Sequence, residues 1–405
     1  MLRVCGKWFV SKEFVLARLM RRSLMSRTEM SEGLKNHGYR LLLGCMSFGL
    51  RSSEKLQKEA AEKFRNAMAA ILEYRATVVV SLLLLMYFLW MDITLYYQIQ
   101  SMHPVGSVTS KPSMESHALF SPFSGLSVKM MMMDQVNNYI HTPLAQIFNQ
   151  VSHFSDVFYF ITPNMISFLG VLFALAAAKC VSADNLTMHY IAVLLFQIRT
   201  WLDALDGIVA RARLGVVQHV SLRYTSGYVV DGLADAIGFG AFVYGCYIYL
   251  CKTFNKSKYY LPVHNDDGGI DKNGMTPVYS PPIVNPGKAL FVACCFGFQL
   301  ALSAFCWDHY VDAYHSLLEN RQVSESEAIV QNEILRSSVV WVIMWFWRIL
   351  NAHSLMQMLL FAVFINKIWE FLTWIQYIGF STIITLTVLT HLHLHSIQNY
   401  IGHVS

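Results

Sequence analysis

Seven apolar runs of bilayer-crossing length constrain this chain more than any other feature: residues 76 to 98, 164 to 183, 186 to 202, 228 to 251, 288 to 307, 338 to 366 and 371 to 394. A helix needs roughly 20 residues to cross about 30 Å of hydrocarbon. Inside a bilayer every backbone polar group must be satisfied within the protein, so runs of this length read as helices. The expected fold is therefore an all-α, polytopic integral membrane protein. Composition agrees, with 55% hydrophobic and 14% charged residues. The second and third runs are short, and the sixth contains Arg348, Asn351 and His353. Hydropathy by itself does not separate an enzyme from a transporter bundle.

Charge inside this frame is concentrated. Asp203 and Asp206 abut the third run, while Asp231 and Asp235 lie within the fourth. Positions 203, 206, 207 and 210 fall on one helical stripe, and 227, 231 and 235 on another. Two such stripes facing each other make an acidic pocket. Carboxylates at a membrane boundary are costly unless they bind something. Four oxygen-ligand side chains suit hard divalent cations, Gly207 and Gly227 allow a phosphate to approach the backbone, and Arg211 can neutralise it.

The order Asp203, Asp206, Gly207, Ala210, Arg211, Gly227, Asp231, Asp235 resembles the signature of the CDP-alcohol phosphotransferases, with all eight positions present. The resemblance extends over roughly residues 135 to 394 and implies a six-helix core preceded here by one extra transmembrane helix. It implies that Asp203, Asp206 and Asp231 hold metal, and that Asp235 completes a second metal site or serves as base. Asp231 and Asp235 are thus the candidate catalytic residues, and the cofactors implied are two divalent cations, Mn2+ or Mg2+. It further places Asn164, Gly207, Ala210, Arg211 and Gly227, together with Asp203, at the nucleotide. Two departures stand out. The spacer, residues 212 to 226, has 15 residues, about twice the usual length in that family, and Gly232 stands where a His base follows the third Asp in the choline and ethanolamine glycerolipid branch. The spacer, the extra helix and the overall length are most similar to the insect ceramide phosphoethanolamine synthase branch.

Orientation follows from charge. Residues 1 to 75 hold 15 of the 31 Lys and Arg, whereas residues 99 to 163 carry only Lys111 and Lys129. The positive-inside rule puts the first segment in the cytosol. The stretch around Arg18, Arg21 and Arg22 has the character of a mitochondrial presequence, but the basic composition continues to Arg75. Alternating seven spans then opens the carboxylates to the lumen, and the compartment expected is the Golgi. The organisation expected is a basic cytosolic tail (1 to 75), the extra helix (76 to 98), a lumenal loop (99 to 134), the core (135 to 394) and a lumenal tail (395 to 405). Met130 to Met133 followed by Gln135 to Phe158 reads as an interfacial helix, with Ile140, Leu144, Ile147 and Phe148 on one side, or as a loose loop.

Other residues weigh less. The eight cysteines form no CxxC pair and read as reduced packing residues. Thr162, Pro163 and Asn164 make a helix start. Arg199, one turn before Asp203, is its expected ion-pair partner. His219 and the group Asp308, His309, Asp312 and His315 are alternative sources of a base. Asp266, Asp267, Asp271 and Asn273 lack the closing Glu of a calcium loop. His391 and His393 point apart on a helix, against a metal site there. The sequons at Asn185 and Asn255 fall on the cytosolic side.

The reading is a transferase passing phosphoethanolamine from CDP-ethanolamine to ceramide, with CMP leaving. A CDP-ethanolamine or CDP-choline phosphotransferase acting on diacylglycerol is the alternative. Expected partners are CDP-ethanolamine, ceramide or another lipid alcohol, and membrane lipids; a homodimer is left open and no nucleic acid is expected. The rival of another class, a cation transporter, has no need of the ordered Gly207, Ala210, Arg211 and Gly227 and would show inverted repeats.

Overall fold

The computed structural model describes residues 53–101, 127–214, 226–259, 286–319 and 325–404, and every regular element among them is a helix. These are α1 (Ser53–Ser101), α2 (Val128–Met132), a π-helical turn (Asn137–His141), α3 (Thr142–Ser152), α4 (Phe154–Val157), α5 (Pro163–Val181), α6 (Leu186–Leu214), α7 (Ser226–Tyr259), α8 (Pro286–Leu318), α9 (Glu325–Leu335), α10 (Ser338–Leu350), α11 (Ala352–Phe364) and α12 (Ile368–Val404). The chain divides into the units Met1–Met86 and Tyr87–Ser405. In the first, Val79, Leu82, Leu83 and Met86 on α1 are exposed, as lipid-facing side chains are. All else below concerns the second.

Among the described residues, five helices are long and apolar enough to cross a membrane: Arg75–Ser101, Pro163–Val181, Gly227–Thr253, Pro286–Leu318 and Ile368–Ile401. The chain is an all-α polytopic membrane protein. Two expectations change. The run over 338 to 366 is not one helix: α10 and α11 are bent by 46° at a break. The run over 186 to 202 is the first part of a longer helix, the 29-residue α6, which carries Arg199, Asp203 and Asp206 and is not among these five. At about 1.5 Å per residue α6 is still long enough to cross. The segment from Gln135 to Phe158 is also subdivided, into the π turn, α3 and α4, with His153 left-handed at φ 48° between the last two. Leu144, Ile147 and Phe148 do share an exposed apolar face.

Local chemistry explains the helix starts. Thr162 caps α5 by accepting from the Met165 amide at 3.3 Å, with Pro163 in the first turn. Asn351 is buried, adopts an extended backbone, and its Oδ1 accepts from the Ser354 amide at 2.8 Å. An N-cap in the middle of an apolar run ends one helix and starts another. It also turns His353, two residues on, into the interior.

The core packs α5, α6, α7, α8, α11 and α12 around Phe196, Phe242, Phe296, Leu355 and Leu359. Small side chains let membrane helices approach closely. Ala174 and Ala177 are fully buried on α5, and a Cβ at Gly245 on α7 would sit 2.4 Å from the Ala178 carbonyl oxygen. Only glycine fits that crossing.

A second buried cluster holds the last turns of α1. Asp92 accepts from Gln135 Nε2 at 2.5 Å, Tyr139 Oη at 2.7 Å and Trp345 Nε1 at 2.8 Å, and faces Arg348 Nη2 at 3.3 Å. The Arg348 guanidinium also stacks 4.9 Å above the Tyr139 ring. A carboxylate within a span thus finds a cation and three neutral donors, which offset its desolvation.

Candidate active site

The two acidic stripes meet. α6 carries Asp203, Asp206, Gly207, Ala210 and Arg211, and α7 carries Gly227, Asp231 and Asp235; with Asn164 from the start of α5, all of them line one cavity of about 560 Å³. Asp203, Asp206 and Asp231 offer ligand atoms that lie within 4.8 Å of one another. Asp203, Asp235 and His353 form a second such group, so Asp203 belongs to both.

Carboxylates this close repel each other by about 3 kcal/mol per pair at an effective dielectric of roughly 20. Part of that is compensated by Arg199, whose side chain is buried. Its Nη2 bonds Asp235 and lies 3.5 Å from Asp203, so the expected pairing with Asp203 is shared with Asp235. Its guanidinium also rests over the Phe239 and Phe196 rings at 4.9 Å and 5.7 Å. Asp206 receives a hydrogen bond from Ser167 Oγ at 2.5 Å. Asp231 Oδ1 is buried with no hydrogen-bond partner. Three converging carboxylates, one with an orphaned buried oxygen, fit a hard divalent cation in chemistry and in spacing. The second group adds an imidazole to two carboxylates, a set that also accepts a metal.

Gly207 makes room for the cation of the signature. A Cβ there would stand 3.3 Å from Arg211 Nη2. Arg211 Nε is buried without a hydrogen-bond partner, leaving the guanidinium free to meet an anion in the cavity.

The sequence did not point to His353 as a site residue. Its Nε2 lies 3.4 Å from Asp235 Oδ2 and 3.7 Å from Asp203 Oδ2, and its ring meets Phe239 edge-on at 5.3 Å. The signal was present: a polar residue inside an apolar run, in a chain where Gly232 removes the usual imidazole. Of the alternative bases, Asp308 reaches the cavity wall, where it accepts from Tyr228 Oη. His315 instead contacts Glu319, and His309 and Asp312 do not line the cavity. His219 and the residues Asp266, Asp267, Asp271 and Asn273 lie outside the described residues. His393 accepts or donates to Tyr314 Oη at 3.0 Å, and no metal-holding group forms around it among the described residues. The six described cysteines are free.

Outside the signature, the cavity wall includes Lys129 from α2 and Asn137 and Asn138 from the π turn. Neighbouring His141 Nε2 contacts Gln197 Oε1 at 3.0 Å, and Gln197 Nε2 donates to Gln357 Oε1 at 2.6 Å. This polar chain fixes α6 against α11 beside the carboxylates.

No solved structure matches the chain. A ceramide phosphoethanolamine synthase of Drosophila melanogaster is 37% identical over 295 residues, which cover 72% of this chain and 74% of that protein. The sequence profile of ceramide phosphoethanolamine synthases matches residues 73–404, from the first span to the end of α12 and across every element that lines the cavity. With both carboxylate stripes inside that match, the chain belongs to the ceramide phosphoethanolamine synthase family.

Proposed function

We propose that this protein transfers phosphoethanolamine from CDP-ethanolamine to the primary hydroxyl of ceramide, releasing CMP, by in-line displacement at a metal-assisted site. The observation that carries this reading is the convergence of Asp203, Asp206 and Asp231 within 4.8 Å, beside an Arg211 with an unpartnered buried nitrogen. Asp203, Asp206 and Asp231 would hold one divalent cation and Asp203, Asp235 and His353 a second, Mn2+ or Mg2+. Bound there, such ions neutralise the diphosphate and stabilise charge developing in the displacement.

The remaining roles belong to the chain. Arg211 pairs with the diphosphate, and Gly207 leaves the space its guanidinium needs. The lipid hydroxyl oxygen attacks the β-phosphorus, the bond from that phosphorus to the bridging oxygen breaks, and CMP leaves with that oxygen. Where Asp235 is left out of the second metal group it takes the hydroxyl proton; Arg199 and His353 lie on either side of it. Arg199 orients the Asp235 carboxylate for that role. The cavity lies within the helical bundle, so a lipid can reach it laterally while its tails stay in the bilayer.

The site is proposed to open to the Golgi lumen, with the N-terminus in the cytosol. The deciding experiment supplies the purified protein with CDP-ethanolamine and a panel of lipid hydroxyls and identifies products by mass. Ceramide phosphoethanolamine is the expected product; phosphatidylethanolamine formed from diacylglycerol in its place would transfer the reading to the glycerolipid reaction.

A further inference from the structure

α2 is a single helical turn with an unusual burden. Val128, Met130, Met131 and Met132 are all buried, and the turn is fastened at several points. Ser127 Oγ accepts from the Met130 amide at 3.2 Å, the Val128 amide donates to Glu319 Oε1 at 2.6 Å, and the Met132 carbonyl accepts from Trp307 Nε1 at 2.8 Å. Its apolar side chains pack on Tyr310 and Tyr314 of α8 and on Met344 and Trp347 of α10. Lys129 is the one polar side chain the turn carries, and it goes into the cavity wall.

That placement needs an explanation. Lys129 forms no ion pair or hydrogen bond among the described residues, although Asp203, Asp231 and Asp308 act on it across space. Burial, and next the Arg211 guanidinium, hold its pKa below the ordinary lysine value. A rigid turn therefore presents an ammonium beside another cation, in a partly desolvated place. Left alone, such a pair is unfavourable; an anionic group between the two cations reverses the sign.

Building on the donor chemistry proposed above, we propose that Lys129 is a second cationic contact for the phosphates of the cytidine nucleotide, so that Arg211 and Lys129 together grip the diphosphate and then the CMP. The reaction gives this pair work to do. The donor's diphosphate carries two negative charges; after transfer the lipid phosphate holds one, CMP holds two and the hydroxyl proton is released. Charge thus accumulates on the phosphate that Arg211 and Lys129 face. Lys129 stands outside the carboxylate signature, on a turn held by packing and by three hydrogen bonds.

CMP binding to the purified, full-length protein in detergent micelles, measured by titration calorimetry, tests the assignment. Lys129→Gln should weaken CMP about tenfold or more, the scale of one lost charge-assisted hydrogen bond, and Lys129→Arg should bind near the wild-type level. The KM for ceramide should stay within twofold in both. Wild-type CMP affinity in Lys129→Gln overturns the assignment while leaving the proposed function intact. So does equal loss in the Gln and Arg variants, which would mean that packing and not charge is at stake. A wild-type protein that binds no CMP removes the cytidine-nucleotide reading itself, and this inference with it.

Discussion

Asp92 and Arg348, 256 residues apart in the chain, lie 3.3 Å from each other in the interior. The pair ties the last turns of α1 to α10 one turn before the break at Asn351, and so holds the segment that delivers His353. Breaking a buried pair costs more than replacing it, because the survivor keeps its charge without compensation.

Asp92→Leu alone should therefore destabilise the protein by about 3 to 5 kcal/mol, seen as a lower melting temperature in detergent. Asp92→Leu with Arg348→Met should recover most of the loss. A double variant no more stable than the single one would show that the neutral donors Gln135, Tyr139 and Trp345, and not the arginine, account for the effect.

The two proposed metal groups share Asp203. Asn at 203, 206 or 231 removes a ligand charge, so turnover should fall by orders of magnitude, on the order of 100-fold or more. Excess chelator should abolish activity and added Mn2+ or Mg2+ should restore it. Undiminished turnover in chelator would leave the carboxylate group without its proposed role. Ser167→Ala, which strips one hydrogen bond from Asp206, should cost far less.

Arg211→Ala should weaken CDP-ethanolamine by about 1.5 to 3 kcal/mol while the KM for ceramide stays unchanged. Gly207→Ala tests the same contact without removing the charge. The new Cβ would press on the guanidinium at 3.3 Å, so a smaller loss on the donor side is expected. Steady-state kinetics with each substrate varied in turn separates the cases; impairment confined to ceramide would reassign the arginine to the lipid.

Orientation is open to direct measurement. With 15 basic residues before the first span, a tag at residue 1 should be exposed in sealed vesicles. If α6 crosses together with the five apolar helices and the bent pair, a tag at residue 405 should be protected from protease. Cleavage of that tag would mean an even number of spans, with either α6 or the bent pair failing to cross, and an active site facing the cytosol would then have to be reconsidered.

The parts of this structure that were legible in the sequence are those governed by short-range rules. Apolar runs became helices, Thr162 and Pro163 began α5, and a helical period of 3.6 put Asp203, Asp206, Gly207 and Ala210 on one stripe. What was not legible depends on long-range packing. Asn351 can cap a helix or sit in a polar seam, and only the fold decides. His353 was visible as a polar residue in an apolar run, but its approach to Asp235 depends on the 46° bend. Lys129 gave no periodic signal, since a single turn is too short to have one. Asp92 and Arg348 could have been paired from the sequence alone, as opposite charges in two spans that each need a partner.

The π-helical turn at Asn137–His141 serves three directions at once: Asn137 and Asn138 face the cavity, Tyr139 reaches Asp92, and His141 reaches Gln197. Such turns carry one residue more than an α-helix needs. Removing one residue there would let the turn close into a regular α-helix, and the stretch would lose one of its three directions. The extra residue is thus what lets one short stretch address the cavity, the first span and α6 together.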